Sequence, residues 1–357
     1  MIFIFIVVAL VCFGVLILVH ELGHFFAAKR AGIRVTEFAI GMGLAIFKHQ
    51  RGDTLYSLRI FPLGGFCQME GDEEDSDSPD AFGNKPILSR VAVIIMGSLM
   101  NLLLGFLIIL ALGAAADGFA TTTVDKFREG ETPSLERGLL PGDRIVKLNN
   151  ERVNITEDIL FFLSRHDGSA VDITALRDGQ EVLISAVYFP YTDVNREELS
   201  GDYRDEGNVH RLYRTDFYVT REENTPGVLI VRSFYRCFSI VKMVWQSLFD
   251  LFGGKVPVTD MSGPVGITNV LGEAAQNSLA DLLNILALLS INLGVLNMLP
   301  LPALDGGRLV FLMIEAIIRR PVPAKYEGYI HYGGFVLLIG FSIFVAFNDV
   351  IRLMFRG

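Results

Sequence analysis

His20, Glu21 and His24 have the types and spacing for metal-assisted hydrolysis. On a helix, His20 and His24 lie one turn apart on one face, so both imidazoles can reach a single ion. Glu21 projects from a neighbouring position, within reach of a water held by that ion. This His-Glu-x-x-His pattern suits a zinc ion with a carboxylate beside it. The motif also closes an apolar run, since no charge occurs from Ile2 to Val19. That run is long enough for a transmembrane helix. The bland alternative is a membrane helix ending in a few polar residues at the interface.

The elements that must position these residues are mostly membrane spans. The chain has 357 residues, 51% of them hydrophobic, and a mean hydropathy of +0.43, beyond the balance of an ordinary soluble protein. The net charge of −9 argues against nucleic acid as a partner. Cys12, Cys67 and Cys237 are too scattered for a disulfide framework or a metal-type pair. The N-terminus lacks a basic n-region and reads as a span, not as a cleaved signal peptide. Four spans are expected, at 1–28, 90–116, 280–304 and 333–354, with the last inside a closing segment 333–357.

Basic residues set the expected orientation. Lys29, Arg30, Arg34, Lys48, Arg51, Arg59 and Lys85 lie between the first two spans; Arg308, Arg319, Arg320 and Lys325 lie between the last two. Loops 29–89 and 305–332 are therefore expected to be cytoplasmic. Both termini and the segment 117–279 fall outside, with His20 and His24 toward the cytoplasmic side.

Within 29–89, Thr36 to Ile46 holds a Gly41-Met42-Gly43 turn, and Thr54 to Met69 is extended around Pro62-Leu63-Gly64-Gly65. These read as β-hairpin elements that dip toward the membrane, where non-helical backbone must be buried or line a wet cavity. Glu70 to Asp80 reads as a solvated acidic loop, with a lid as the alternative. In 117–190, the turn Gly138 to Asp143 leads into a strand Arg144 to Leu148 and a helix Thr156 to Arg165. A hairpin follows, Val171 to Arg177 and Glu181 to Val187, joined at Asp178-Gly179. This order resembles a PDZ domain, a module that binds extended peptides along a sheet edge. The remainder, 191–279, is a linker with amphipathic helices, of which 191–227 carries no readable pattern. Arg232, Arg236, Lys242 and Asp250 interrupt the apolar stretch 228–252 and make it an amphipathic helix on the membrane surface or on the PDZ-like unit.

A hydrolytic zinc site needs a third protein ligand. The stretch Asn297 to Gly307 combines membrane burial, Pro300, Pro302 and the carboxylate of Asp305, at the same expected depth as the histidines. Asp305 is the best third ligand; the alternative is that it only caps the next helix. His49, His166, His210 and His331 read as ordinary surface or loop histidines.

These motifs together resemble the site-2 protease family of intramembrane zinc metalloproteases, in its bacterial single-PDZ branch, which includes proteases that regulate sigma factors. The resemblance runs through His20 to His24, Gly41-Met42-Gly43, Pro62 to Gly65, the PDZ-like turn, Gly263 to Ile267 and Asn297 to Gly306. It implies a four-helix membrane protein with a cytoplasmic-side β-hairpin region and one extracytoplasmic PDZ-like α/β domain, in the bacterial inner membrane. It implies that His20, His24 and Asp305 hold one Zn²⁺ and that Glu21 is the general base. Asn297 would hydrogen-bond an unwound substrate backbone, or alternatively another helix. Gly64 and Gly65 would border the substrate strand, and the prolines would shape the ligand turn. The implied substrates are transmembrane segments of single-span proteins, such as anti-sigma factors after a first cut by an upstream site-1-type protease, or remnant signal peptides. The lipid bilayer is the other partner. A metal transporter and an inactive PDZ-type scaffold are the competing readings.

Overall fold

A computed structural model describes residues 2–72, 76–130, 132–195, 209–254, 261–320 and 322–355. The centre of the acidic loop, residues 73–75, and residues 196–208 of the unreadable stretch lie outside the described residues. In chain order the elements begin with α1 (Ile2–Arg30), β1 (Val35–Arg51), β2 (Thr54–Met69) and α2 (Ile87–Ala115). Then come β3 (Phe119–Phe127), α3 (Pro133–Glu136), β4 (Arg144–Leu148), β5 (Glu151–Arg152), α4 (Thr156–Ser164), β6 (Val171–Arg177) and β7 (Gln180–Val187). The chain continues with β8 (Tyr191–Asn195), β9 (Val209–Tyr213), β10 (Phe217–Glu222), α5 (Pro226–Phe252) and α6 (Pro264–Asn277). It closes with α7 (Leu279–Asn297), α8 (Asp305–Ile318) and α9 (Ala324–Phe355). Two compact units result, Met1–Ile108 with Met261–Asp349, and Ile109–Asp260 with Val350–Gly357.

Four helices are long and apolar enough to cross a membrane: Phe3–Arg30, Ile87–Ala115, Leu279–Asn297 and Lys325–Ile351. The third is shorter than hydropathy suggests, because α7 stops at Asn297, not at 304. Pro300 and Pro302 remove two amide donors and disfavour helix in the residues before them. The chain turns through 298–304 and restarts as α8 at Asp305, so the expected loop 305–332 is largely helical. The last helix begins at Ala324, well before 333. Hydropathy falls at Lys325, Glu327 and His331, but the helix start is set by Pro323, whose carbonyl accepts the Tyr326 amide at 3.0 Å.

Small residues let the first unit's helices approach closely. Gly23 of α1 lies against the backbone of Met96 and Gly97 on α2, while Gly294 of α7 lies against Ser98 and Leu102. Such contacts substitute packing for the hydrophobic drive that is missing between apolar helices in lipid. Ser290 adds a hydrogen bond to the Asn101 carbonyl at 2.7 Å. Where α1 leaves the helix layer, Ala28, Ile33, Val35, Phe38, Cys67, Met69, Val93, Ile94 and Leu312 form one core. That core fixes the hairpin against α1, α2 and α8.

The hairpin is more folded than two strands imply. Residues 37–40 of β1 pair with 65–68 of β2 on one side and with 55–58 on the other, and 55–58 pair again with 47–50. The ribbon therefore has the order 65–69, 35–40, 54–59, 45–51, with 65–69 at one edge. Gly41 (φ 87°) and Gly64 (φ 84°) supply the left-handed backbone at the two bends. Arg59 braces the first bend, donating to the Gly43 carbonyl and pairing with Glu37, each at 2.7 Å.

The second unit is built on a sheet of order β10-β3-β4-β6-β7, with β5 on β4. Its core joins Val124, Leu139, Ile145 and Ile173 of the sheet side to Ile159, Phe162 and Leu163 of α4. The sheet extends past the expected end at 190, because Phe217–Glu222 adds to β3 and Phe217 is buried in the core. Sequence separation hid that strand: its partner lies far upstream and its flanks are charged. The polar side of α5 docks on α4 and its neighbours through Asp250 to Arg165, Ser239 to Asp158 and Gln246 to Glu151. Ile230, Phe234, Phe238, Phe249 and Phe252 remain exposed on α5.

Candidate metal centre

The α1–α2 crossing places the motif. At Gly97 a side chain would collide with the rings of both His20 and His24, so α2 approaches the imidazoles backbone-first. Both histidines are buried, at 7% and 8% exposure. The His24 Nδ1 lies 2.9 Å from the Val93 carbonyl oxygen. A carbonyl only accepts, so Nδ1 carries the proton and Nε2 presents a bare lone pair. The His20 Nδ1 lies 3.3 Å from the amide of the fully buried Asn101. Amide oxygen and nitrogen exchange by a half-turn of the side chain. Turning Oδ1 toward His20 gives that oxygen, otherwise without a partner among the described residues, a donor, and leaves His20 Nε2 bare as well.

Asp305, the first residue of α8, completes the cluster. Its Oδ2 lies 3.0 Å from His20 Nε2 and 3.3 Å from His24 Nε2, and the two Nε2 atoms are 3.1 Å apart. All three donor atoms fall within 4.8 Å of one another. Two lone pairs and a carboxylate oxygen facing one another repel unless a cation sits among them, and two imidazoles with one carboxylate match zinc's usual ligands. The residues therefore fit a zinc ion. Nearby, Cys67 is pushed up to about 12 by burial and by the Glu21 and Asp72 carboxylates, and so remains a neutral thiol.

A cavity of about 690 Å³ opens on the cluster, lined among others by Glu21, Phe66, Gln68, Asn297 and Arg308. Glu21 faces the backbone amide of Cys67 on the edge segment 65–69. A side chain at Gly65 would come within 3.6 Å of Glu21 Cγ, which places this glycine beside the carboxylate. Gly64 instead faces Met42 across the bend. The structure thus gathers His20, Glu21, His24, Asp305 and Asn297 around one space, with Gly65 beside the Glu21 side chain and Gly64 at the bend.

Several residues at this site escape sequence reasoning. Gly97 and Asn101, one turn apart on α2, carried a signal as a small residue and a polar residue on one helix face. Arg308 grips Asp72 with two contacts of 2.9 Å, and Arg90 pairs with Glu315; together they anchor α8 at two levels. His331 is no loop histidine: it lies inside α9 and accepts from the Ala303 amide in the turn before α8.

Four membrane-length helices, with two buried histidines and a part-buried aspartate converging on a polar cavity, are the frame of a membrane metallohydrolase. The chain belongs to peptidase family M50, whose model matches residues 8–341. It is similar to a protein of Clostridium perfringens assigned as a zinc metalloprotease, with 36% identity over 97% of this chain and 98% of that one. A counterpart from Clostridium acetobutylicum, also assigned as a zinc metalloprotease, shares 34% identity over 97% of each chain. The regulator of sigma-W protease RasP of Bacillus subtilis shares 27% identity over 96% of this chain and 97% of its own. The chain is a zinc metalloprotease of the membrane, and the transporter and scaffold readings are set aside.

Proposed function

We propose that His20, His24 and Asp305 hold the zinc ion and that Glu21 is the general base of an endopeptidase acting on transmembrane segments. The observation that carries this reading is the convergence of three donor atoms, from α1 and α8, within 4.8 Å of one another on a polar cavity. Zinc, when bound, supplies a Lewis acid that polarises the scissile carbonyl and acidifies water. Glu21 takes a proton from the attacking water and later delivers one to the leaving amine. A helical substrate hides its peptide bonds, so the segment must unwind first. The edge 65–69, which has no further strand paired to it among the described residues, lies beside Glu21 and would take an extended substrate strand, with Gly65 next to the Glu21 side chain. Asn297, at the end of α7, is proposed to hydrogen-bond the unwound backbone.

The proposed substrates are single-span proteins, such as anti-sigma factors after a first cut by another protease, or remnant signal peptides. The name of the Bacillus subtilis relative supports the first class. The basic loops support an inner-membrane orientation with the site toward the cytoplasm and the PDZ-like unit outside. For that unit a size filter is favoured over strand-addition binding at β3, because β3 already has β4 on one side and β10 on the other.

Glu21→Gln tests the core of the proposal. The variant should keep its zinc and stop cleaving a tagged single-span substrate in detergent or vesicles. Undiminished cleavage would sink the assignment. Attaching a folded domain to the outer end of the substrate should block cleavage, and removing the filter unit should restore it; a substrate cleaved equally well with and without that domain would rule the filter out.

A further inference from the structure

The turn that delivers Asp305 contains a backbone conformation its sequence does not favour. Ala303, two residues ahead of the carboxylate, has φ 72°, in the left-handed region that an L-residue with a Cβ rarely adopts. Such a residue persists only when its surroundings over-determine it. Here the determinant comes from α9: the Ala303 amide donates to His331 Nδ1 at 2.8 Å. The imidazole is itself held in place. Its ring packs 5.6 Å from that of Phe311, its Cε1 lies against Gly307 on the first turn of α8, and its Nε2 is 3.8 Å from Glu327. One turn along α9, Gly334 closes onto Pro302 with no room for a side chain. The last helix thus grips the 302–303 backbone at two points immediately before the ligand helix begins.

We propose that His331 is a positioning residue for the zinc site, holding the left-handed Ala303 turn by accepting its amide so that Asp305 meets His20 and His24. The inference rests on Asp305 being a ligand. A carboxylate delivered by an irregular turn has no regular hydrogen-bond ladder to fix its depth, so a single part-buried acceptor on a neighbouring helix has leverage over it. Partners behind metal ligands typically change affinity by about 10–100-fold when removed.

The experiment compares full-length variants in detergent for zinc retained against a graded chelator, and for kcat and KM on a tagged single-span substrate. His331→Asn places its amide oxygen near the position of Nδ1, whereas His331→Gln reaches toward that of Nε2, and His331→Phe fills the space with no acceptor. Zinc affinity should fall by about 10–100-fold in His331→Phe and His331→Gln and return most of the way in His331→Asn. Thermal midpoints of the Gln and Asn variants should match. Adding Ala303→Gly, which accepts the left-handed conformation without strain, should shrink the loss in His331→Phe. Zinc held equally by the Asn and Gln variants, or an undiminished loss in the Ala303→Gly background, would overturn the inference. Asp305→Ala serves as reference: if it retains zinc unchanged, the ligand assignment falls and the inference with it; if it alone loses zinc, only the inference falls.

Discussion

The Val93 carbonyl and His24 Nδ1 are 2.9 Å apart, and this one bond decides which imidazole nitrogen faces His20 and Asp305. Because the acceptor is main chain, the tautomer is fixed by the path of α2 and not by any side chain that substitution could remove. The register of α2 against α1 is therefore part of the chemistry, and that register depends on Gly97.

Gly97→Ala should weaken zinc binding. A methyl at this position would fall on the rings of His24 and His20, closer than carbon atoms approach, and α2 would have to retreat. Retreat lengthens the His24 to Val93 bond and frees the imidazole to turn. A loss of about 10–100-fold in zinc affinity is expected, read by chelator competition. Gly340→Ala, on α9 with nothing near its side-chain position, is the neutral control. Equal affinities in the two variants would show that the approach of α2 does not set the site.

How much of the fold and site is legible in the sequence follows from range. The His20, Glu21 and His24 motif is local, and a periodicity of one helical turn reads directly from the chain. Asp305 stands out because a carboxylate beside an apolar run is costly without a partner. The hairpin strands and β4, β6 and β7 follow from alternation and turn residues. What the sequence hides is contact between distant segments. Asn101 is one polar residue in an apolar helix until α1 lies against it, and β10 carries no readable pattern until β3 pairs with it. His331 looked dispensable because its role is to satisfy a main-chain amide, for which no side-chain pattern exists.

Asn101→Ala should lower zinc affinity by about 10–100-fold while leaving the helices packed. Asn101 is fully buried, and its side chain is positioned to orient His20. Its main-chain carbonyl still accepts from Ser290 in the variant, so the α2–α7 contact survives. Chelator competition reads the affinity, and thermal unfolding in detergent checks the packing. Loss of both together would make Asn101 a packing residue instead.

The Arg308 and Asp72 pair should be energetically coupled. The guanidinium makes two contacts of 2.9 Å from the first turn of α8 to the 70–72 turn. Both contacts come from the one Nη1 nitrogen; a lysine keeps the charge but is one atom shorter and falls short of that position, so Arg308→Lys should slow cleavage by a factor of about 5 to 30, equivalent to about 1–2 kcal/mol. In a double-mutant cycle with Asp72→Asn, the second substitution should cost much less once the first is present. Strictly additive effects would mean that the two residues act separately.

The acid sensitivity of the second unit should trace to Asp143. This carboxylate is 1% exposed and accepts from Arg177 Nε and Nη2, each at 2.7 Å, and from the Leu140 amide at 2.8 Å. Burial alone would raise its carboxyl, but the Arg177 bonds outweigh burial and hold it below the ordinary carboxylate range. A depressed value in the folded state means that the unfolded chain binds the proton first. The stabilisation is therefore complete above the unfolded value of about 4 and is lost as pH falls through the lower folded value. Amide protection across residues 138–148, followed by hydrogen exchange on the full chain, should be flat from neutrality to about pH 5 and then decline. Asp143→Asn should start with weaker protection and show a shallower acid decline, because the titrating group is gone. An unchanged acid limb in that variant would place the sensitivity elsewhere.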